Sequence, residues 1–187
     1  MKKKLLVVAA LIFINVAFGV WAFMLQAESW AYDYEPQVEI LSLGRTGNAQ
    51  YNGQSYRYVK DEQYIAFTAK DGETFKRRYE MATDKDGEEV LFLYEPSVYT
   101  YVGEDAPEGL TGEWRSENGW SFLFNENGTF VEDTYFYGYY SVEQDEGRVK
   151  LVYDSEFRFN DTYIYFLIEG DQMTVEYPWR LLKTQKQ

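Results

Sequence analysis

Trp120-Ser121-Phe122-Leu123-Phe124-Asn125-Glu126-Asn127-Gly128-Thr129-Phe130 is the stretch that decides the fold class. Trp120, Phe122 and Phe124 alternate with other residues and so share one face of an extended strand. Asn127-Gly128 then supplies the positive φ that a tight hairpin turn demands. The same pattern runs outward. Phe136, Gly138, Tyr140 and Val142 alternate with Tyr135, Tyr137, Tyr139 and Ser141, and Val149, Leu151 and Tyr153 alternate with Lys150, Val152 and Asp154. Residues 163–168, Met173-Val175-Tyr177 and Trp179-Leu181 predict three more strands, with Glu169-Gly170-Asp171 as a turn. Upstream, Gly44, Gly47, Asn52-Gly53, Asp71-Gly72 and Asp86-Gly87 punctuate strands such as 64–67 and 90–94. No helix-length period separates them, so the expected fold is all-β, built of antiparallel meanders or small barrels.

The N-terminus is different. Lys2, Lys3 and Lys4 precede a stretch from Leu5 to Leu25 with no Asp, Glu, Lys or Arg. At ~1.5 Å per residue its 21 residues reach about 31 Å, close to the hydrocarbon thickness of a bilayer. The lysines predict a cytoplasmic start and export of everything after Gln26. The run exceeds the ~7–15 residues of a signal-peptide core, and Leu25-Gln26-Ala27 places Leu where a small residue is wanted. One transmembrane helix is therefore expected as a signal-anchor at the cell membrane; the alternative is secretion after cleavage. Cys is absent, which excludes lipid attachment through an N-terminal cysteine.

Beyond the run, 15 basic residues face 31 acidic ones, a net charge of −16. Such a surface repels nucleic acid and anionic lipid. It either favours cationic partners or serves only to keep the protein soluble. The absence of both His and Cys removes Ser-His-Asp triads, Cys nucleophiles, the usual zinc ligand sets and disulfides. The exported part must fold on its core alone, and its 19 % aromatic content supplies large buried rings. The lysine start and lack of Cys fit a bacterial source.

The expected organisation is residues 1–25 as cytoplasmic lysines and anchor, 26–36 as a stalk and 37–103 as a small β domain. The acidic, Pro- and Gly-bearing 104–109 forms a linker, and 110–187 a second β domain. That second domain resembles bacterial lipocalin-like (calycin-type) small domains. The likeness rests on Leu110-Thr111-Gly112-Glu113-Trp114, Trp120-x-Phe122-x-Phe124, Asn127-Gly128-Thr129-Phe130, Gly138-Tyr139-Tyr140, Val149-x-Leu151, residues 170–173 and Trp179-Arg180. The resemblance implies structural roles for Gly112 and Trp114 at the first strand, with Arg180 capping the Trp114 ring. The first domain is faintly similar to YxeA-type anchored OB-like proteins, through Tyr56-Arg57-Tyr58, residues 65–69, Val98-x-x-Tyr101 and Asp105-Ala106-Pro107. Neither resemblance carries a catalytic motif.

Candidate sites are few. Asp84-Lys85-Asp86-Gly87-Glu88-Glu89 has a calcium-loop flavour. With Gly87 at the sixth position, however, Ala82 falls at the first ligand position and Leu93 at the twelfth, so a charged hairpin turn is expected and no metal ligands are assigned, the alternative being a loose surface Ca²⁺ site. Trp120 and the stripe Tyr135, Tyr137, Tyr139 are the candidate ligand-binding residues. Their rings can stack on a sugar or line an apolar pocket, or else pack on a neighbouring strand. Hydrolysis without His leaves paired carboxylates, for which Glu113, Glu132, Asp133, Asp154, Glu156 and Asp161 qualify by type alone.

The expectation is thus an envelope protein held by residues 5–25 that is binding or structural and not an enzyme. It needs no cofactor, and its partner is a small apolar or sugar-like ligand or an envelope protein. The alternative is a carboxylate-dependent glycan hydrolase acting on cell-wall material.

Overall fold

A computed structural model describes residues 27–104, 107 and 109–184. The expected anchor at 5–25 lies outside the described residues, and among those described no helix is long and apolar enough to cross a membrane. The fold is all-β, as the alternation predicts. Among the described residues fourteen antiparallel strands follow one another as β1 (Ala27–Tyr32), β2 (Glu39–Gly44), β3 (Asn48–Tyr51), β4 (Gln54–Lys60), β5 (Tyr64–Thr68), β6 (Thr74–Thr83) and β7 (Glu89–Tyr101). They continue as β8 (Gly112–Ser116), β9 (Ser121–Phe124), β10 (Thr129–Glu132), β11 (Phe136–Glu143), β12 (Arg148–Tyr153), β13 (Thr162–Glu169) and β14 (Gln172–Lys183). The described residues divide into two compact units, one of 27–92 with 180–184 and the other within 93–179.

In the first unit β1 pairs with β2 and with the end of β14, Trp30 lying opposite Leu41 and Lys183. Residues 26–36, expected as a stalk, therefore contain a strand. Trp30 and Ala31 are the reason, both being buried in the unit's core with Leu41, Ile65 and Phe67. Tyr51, Phe67 and Phe75 stack, with neighbouring centroids 5.1–6.0 Å apart. Asn52 and Gly53 have φ of 48° and 74°, the double left-handed turn foreseen from the Asn-Gly pair. At Asp84 the carboxylate accepts the Asp86 and Glu88 backbone N–H groups, which closes a hairpin turn. These bonds, with Arg180 beside it, hold its pKa below the usual carboxylate range. Among the described residues no group of three or more carboxylates is arranged to hold a metal ion.

The second unit runs β7 to β14 in chain order, and β7 also pairs with β14, so these eight strands return on themselves. The Tyr101 N–H donates to the Asp171 carbonyl at 2.8 Å at this closure. The core holds Trp114, Phe122, Phe124, Phe130, Val149, Leu151, Ile164, Met173 and Val175. All are inward members of the alternating sets. Met173-Val175-Tyr177 and Trp179-Leu181, expected as two strands, are one continuous β14 that passes through Pro178. The 104–109 segment joins β7 to β8, while the boundary between units falls inside β7, between Phe92 and Leu93.

Charge is distributed unevenly between the units. Residues 93–179 hold 4 basic and 18 acidic side chains, a net −14, while the rest of the chain holds 14 basic and 13 acidic.

Candidate functional site

Two turns place the residues of a cavity in the second unit. At the β8–β9 turn, the Ser116 N–H donates to the Trp120 carbonyl at 2.9 Å and Gly119 N–H donates back to the Ser116 carbonyl at 3.0 Å. This pins Trp120 just ahead of β9 with Ser116 and Asn118 beside it. At the β10–β11 turn, Asp133 and Thr134 both take left-handed backbone, φ 49° and 58°. The Tyr135 N–H closes the turn on the Glu132 carbonyl at 3.1 Å, and the Asp133 N–H ties it to the Ser121 carbonyl at 2.8 Å. A left-handed conformation costs an L-residue about 1–2 kcal/mol, and a β-branched one is a poor occupant. Thr134→Gly is expected to raise stability by about 0.5–1 kcal/mol, net of glycine's entropy in the unfolded chain, as read by the urea midpoint.

The turn delivers Glu132 to the inner face, two residues after the fully buried Phe130. There it lines a cavity of about 300 Å³ with Ser97 and Tyr99 of β7, Phe136 of β11, Tyr153 of β12 and Tyr177 and Trp179 of β14. Trp120, Ser116 and Asn118 complete one side, and Phe159 another. Phe159 is held by Phe136 and Tyr153, with centroids 5.3 and 5.2 Å away. The polar groups form a chain. Tyr153 donates its hydroxyl to Glu132 Oε2 at 2.5 Å, and its oxygen lies 3.1 Å from the Tyr177 hydroxyl. Burial raises the proton affinity of Glu132 above the ordinary carboxylate value, against the Tyr153 hydrogen bond that favours the ionised form. Burial, with Glu132 nearby, pushes the Tyr99 phenol up to about 12. Tyr153 and Tyr177 are shifted the same way, first by burial, with Glu132 and a neighbouring phenol adding to it in each case. All three phenols stay neutral at physiological pH.

A carboxylate whose proton affinity rises on folding binds more protons folded than unfolded, so its contribution to stability falls as pH rises. The loss begins near the ordinary value of 4.5 and continues to the raised folded value. Glu132→Gln keeps the acceptor for Tyr153 and removes the charge. Its melting temperature relative to wild type is expected to climb as pH goes from 4 to about 7. A constant difference across that range would contradict the burial of this carboxylate.

Of the four aromatic residues expected to bind ligand, Trp120 lines the cavity and is 44 % exposed, so it stands at the rim. Tyr137 and Tyr139 lie on the opposite, outward face of β11, as the inward placement of Phe136, Gly138 and Tyr140 requires, and Tyr135 is an exposed turn residue just ahead of that strand. Tyr135 packs on Phe136 and Phe157, at 5.0 and 5.8 Å. Tyr137 packs on Phe157 at 5.1 Å and hydrogen-bonds Glu156, which drives its phenol up to about 12. Tyr139 is an exposed outer residue opposite Val152.

The residues given structural roles are also resolved. Trp114 is fully buried; its Nε1 donates to the Leu110 carbonyl at 2.8 Å and Tyr101 meets its ring edge-on at 5.3 Å. Gly112 sits at φ 123°, under the Tyr101 ring. Arg180 does not take the capping role the resemblance implies. It belongs to the first unit, where its guanidinium is engaged by Asp33 at 2.5 Å and Asp84 at 3.0 Å.

Of the six carboxylates considered for hydrolysis, Glu132 alone lines the cavity. Glu113 pairs with Arg115 and Asp161 with Lys150, and Asp154 accepts the Glu156 N–H. Sequence reading left Tyr99, Tyr153, Tyr177 and Trp179 out of the site. The signal was present in the alternation, because Phe130 and Glu132 share a face, as do Leu151 and Tyr153, and Val175, Tyr177 and Trp179. An acid and several phenols on core-facing positions near strand ends mark a cavity. Comparison of the chain with protein-family models, curated proteins and solved structures finds no match to any of them.

Proposed function

We propose that this chain is a single-pass, membrane-anchored binding protein of a bacterial cell envelope, whose extracytoplasmic β units include one that takes a small ligand against Glu132 and Trp120. The observation that carries the reading is the cavity of about 300 Å³, lined by aromatic rings and holding a short chain of polar groups. Concave, mostly apolar sites with a few convergent polar atoms are where proteins bind small molecules. The lysine-flanked run at residues 5–25 supports the anchored, outward-facing topology. A single cavity-lining carboxylate supports binding over two-carboxylate hydrolysis.

The test uses the full chain in detergent micelles, screened by thermal shift against small apolar and sugar-like compounds. Compounds that raise the melting temperature of wild type should fail to do so with Trp120→Ala, and should still do so with Tyr139→Ala, which alters the outer face only. A panel that shifts nothing, or a Trp120→Ala variant that responds as wild type, would overturn the reading.

A further inference from the structure

Resting on the reading of this cavity as a ligand site, we infer that its ligand is a small organic cation: an ammonium group carried on an apolar or aromatic body, its nitrogen set against Glu132. Glu132 is the one ionisable side chain with a charge to offer in the lining, which contains no Lys or Arg. An anionic ligand would meet a carboxylate with nothing to compensate it, whereas an ammonium supplies the counter-charge that burial denies Glu132. The surrounding walls suit the same chemistry. Trp120 and Trp179 present indoles, and Tyr99, Tyr153 and Tyr177 present phenols, whose ring faces attract cations most strongly when water is excluded. The Tyr153 hydroxyl, already donating to Glu132, keeps its carboxylate aimed along the chain of phenols.

Long-range electrostatics point the same way. The unit holding the cavity carries 18 acidic against 4 basic residues, while the remainder of the chain is balanced. A field of one sign around a cleft concentrates ions of the opposite sign and speeds their entry. The volume of about 300 Å³ equals that of about ten waters, enough for one aromatic ring and a short amine.

The experiment is calorimetric titration of the full chain in detergent micelles with three probes of similar size: phenethylammonium, neutral 2-phenylethanol and anionic phenylacetate. N-acetylglucosamine serves as the sugar arm. Phenethylammonium should bind about tenfold or more tighter than 2-phenylethanol, with no heat from phenylacetate. Glu132→Gln, checked for an unchanged fold by melting, should erase most of that advantage by weakening the amine alone, and Trp120→Ala should weaken both. Equal affinity for amine and alcohol, or preferential binding of the sugar, overturns the cation assignment and leaves the cavity a ligand site. Binding of no probe, with Trp120→Ala indistinguishable from wild type, overturns both.

Discussion

Trp114→Ala should lower the stability of the second unit by about 3–5 kcal/mol, the range for removing a fully buried large aromatic side chain. Two losses combine. The indole is 0 % exposed and is met edge-on by Tyr101, so its removal empties the centre of the core. Its Nε1–H also satisfies the Leu110 carbonyl at 2.8 Å, and an orphaned buried acceptor costs about 1–3 kcal/mol by itself. Trp114→Phe separates the two terms, because it keeps most of the apolar contact and drops the donor; about 1–3 kcal/mol is expected for it. Urea unfolding followed by tyrosine and tryptophan emission measures both variants. With domain stabilities of roughly 5–15 kcal/mol, the alanine variant should sit close to unfolding at 37 °C. Equal losses for the two substitutions would show that the hydrogen bond, and not the ring, is what matters.

Gly138→Ala should be nearly as damaging, although it adds one methyl group. A Cβ built at Gly138 would stand 2.1 Å from the Val152 carbonyl oxygen and 2.8 Å from the Tyr153 Cα. Both are backbone atoms of β12, the strand paired with β11 at Gly138↔Tyr153, so no side-chain rotation relieves the overlap. The strands must separate locally, and overpacking of this kind costs about 3 kcal/mol, at the upper end of what extra methylenes usually exact. Tyr153 is the donor to Glu132, so the same displacement pulls the cavity apart. The variant should therefore lose both stability and ligand response. A variant that melts as wild type would mean the two strands are farther apart than described.

Much of this architecture was legible from the chain. Alternation at Trp120, Phe122 and Phe124 and the Asn52-Gly53 turn are local signals, and local signals survive into the fold because side-chain period and turn φ are set within a few residues. The division into units was not legible. β7 runs unbroken across Phe92 and Leu93, where Val90, Leu91 and Tyr94 on either side continue the apolar run and nothing marks a change of unit, while the conspicuous 104–109 segment lies between β7 and β8 in the chain. β1 was hidden for the related reason that its partner, the end of β14, is about 150 residues away, as Trp30↔Lys183 shows. At the site, Trp120 announced itself as an aromatic residue after a turn glycine. The stripe of Tyr135, Tyr137 and Tyr139 is conspicuous by its regularity, yet the neighbouring inward set, broken only by Gly138, faces the core. Glu132 escaped notice as a ligand contact because its turn is Asp133-Thr134, which lacks the glycine that advertises left-handed backbone.

The most direct measurement of the ligand site uses the tryptophans as reporters. Five are present, and their indole N–H resonances can be followed one by one by heteronuclear NMR of the labelled full chain in micelles. On titration with phenethylammonium, the signals of Trp120 and Trp179 should move together and saturate, while those of the buried Trp30 and Trp114 stay in place. Movement of Trp30 or Trp114 with Trp120 and Trp179 unchanged, or no movement at any of the four, would contradict binding in the Glu132 cavity.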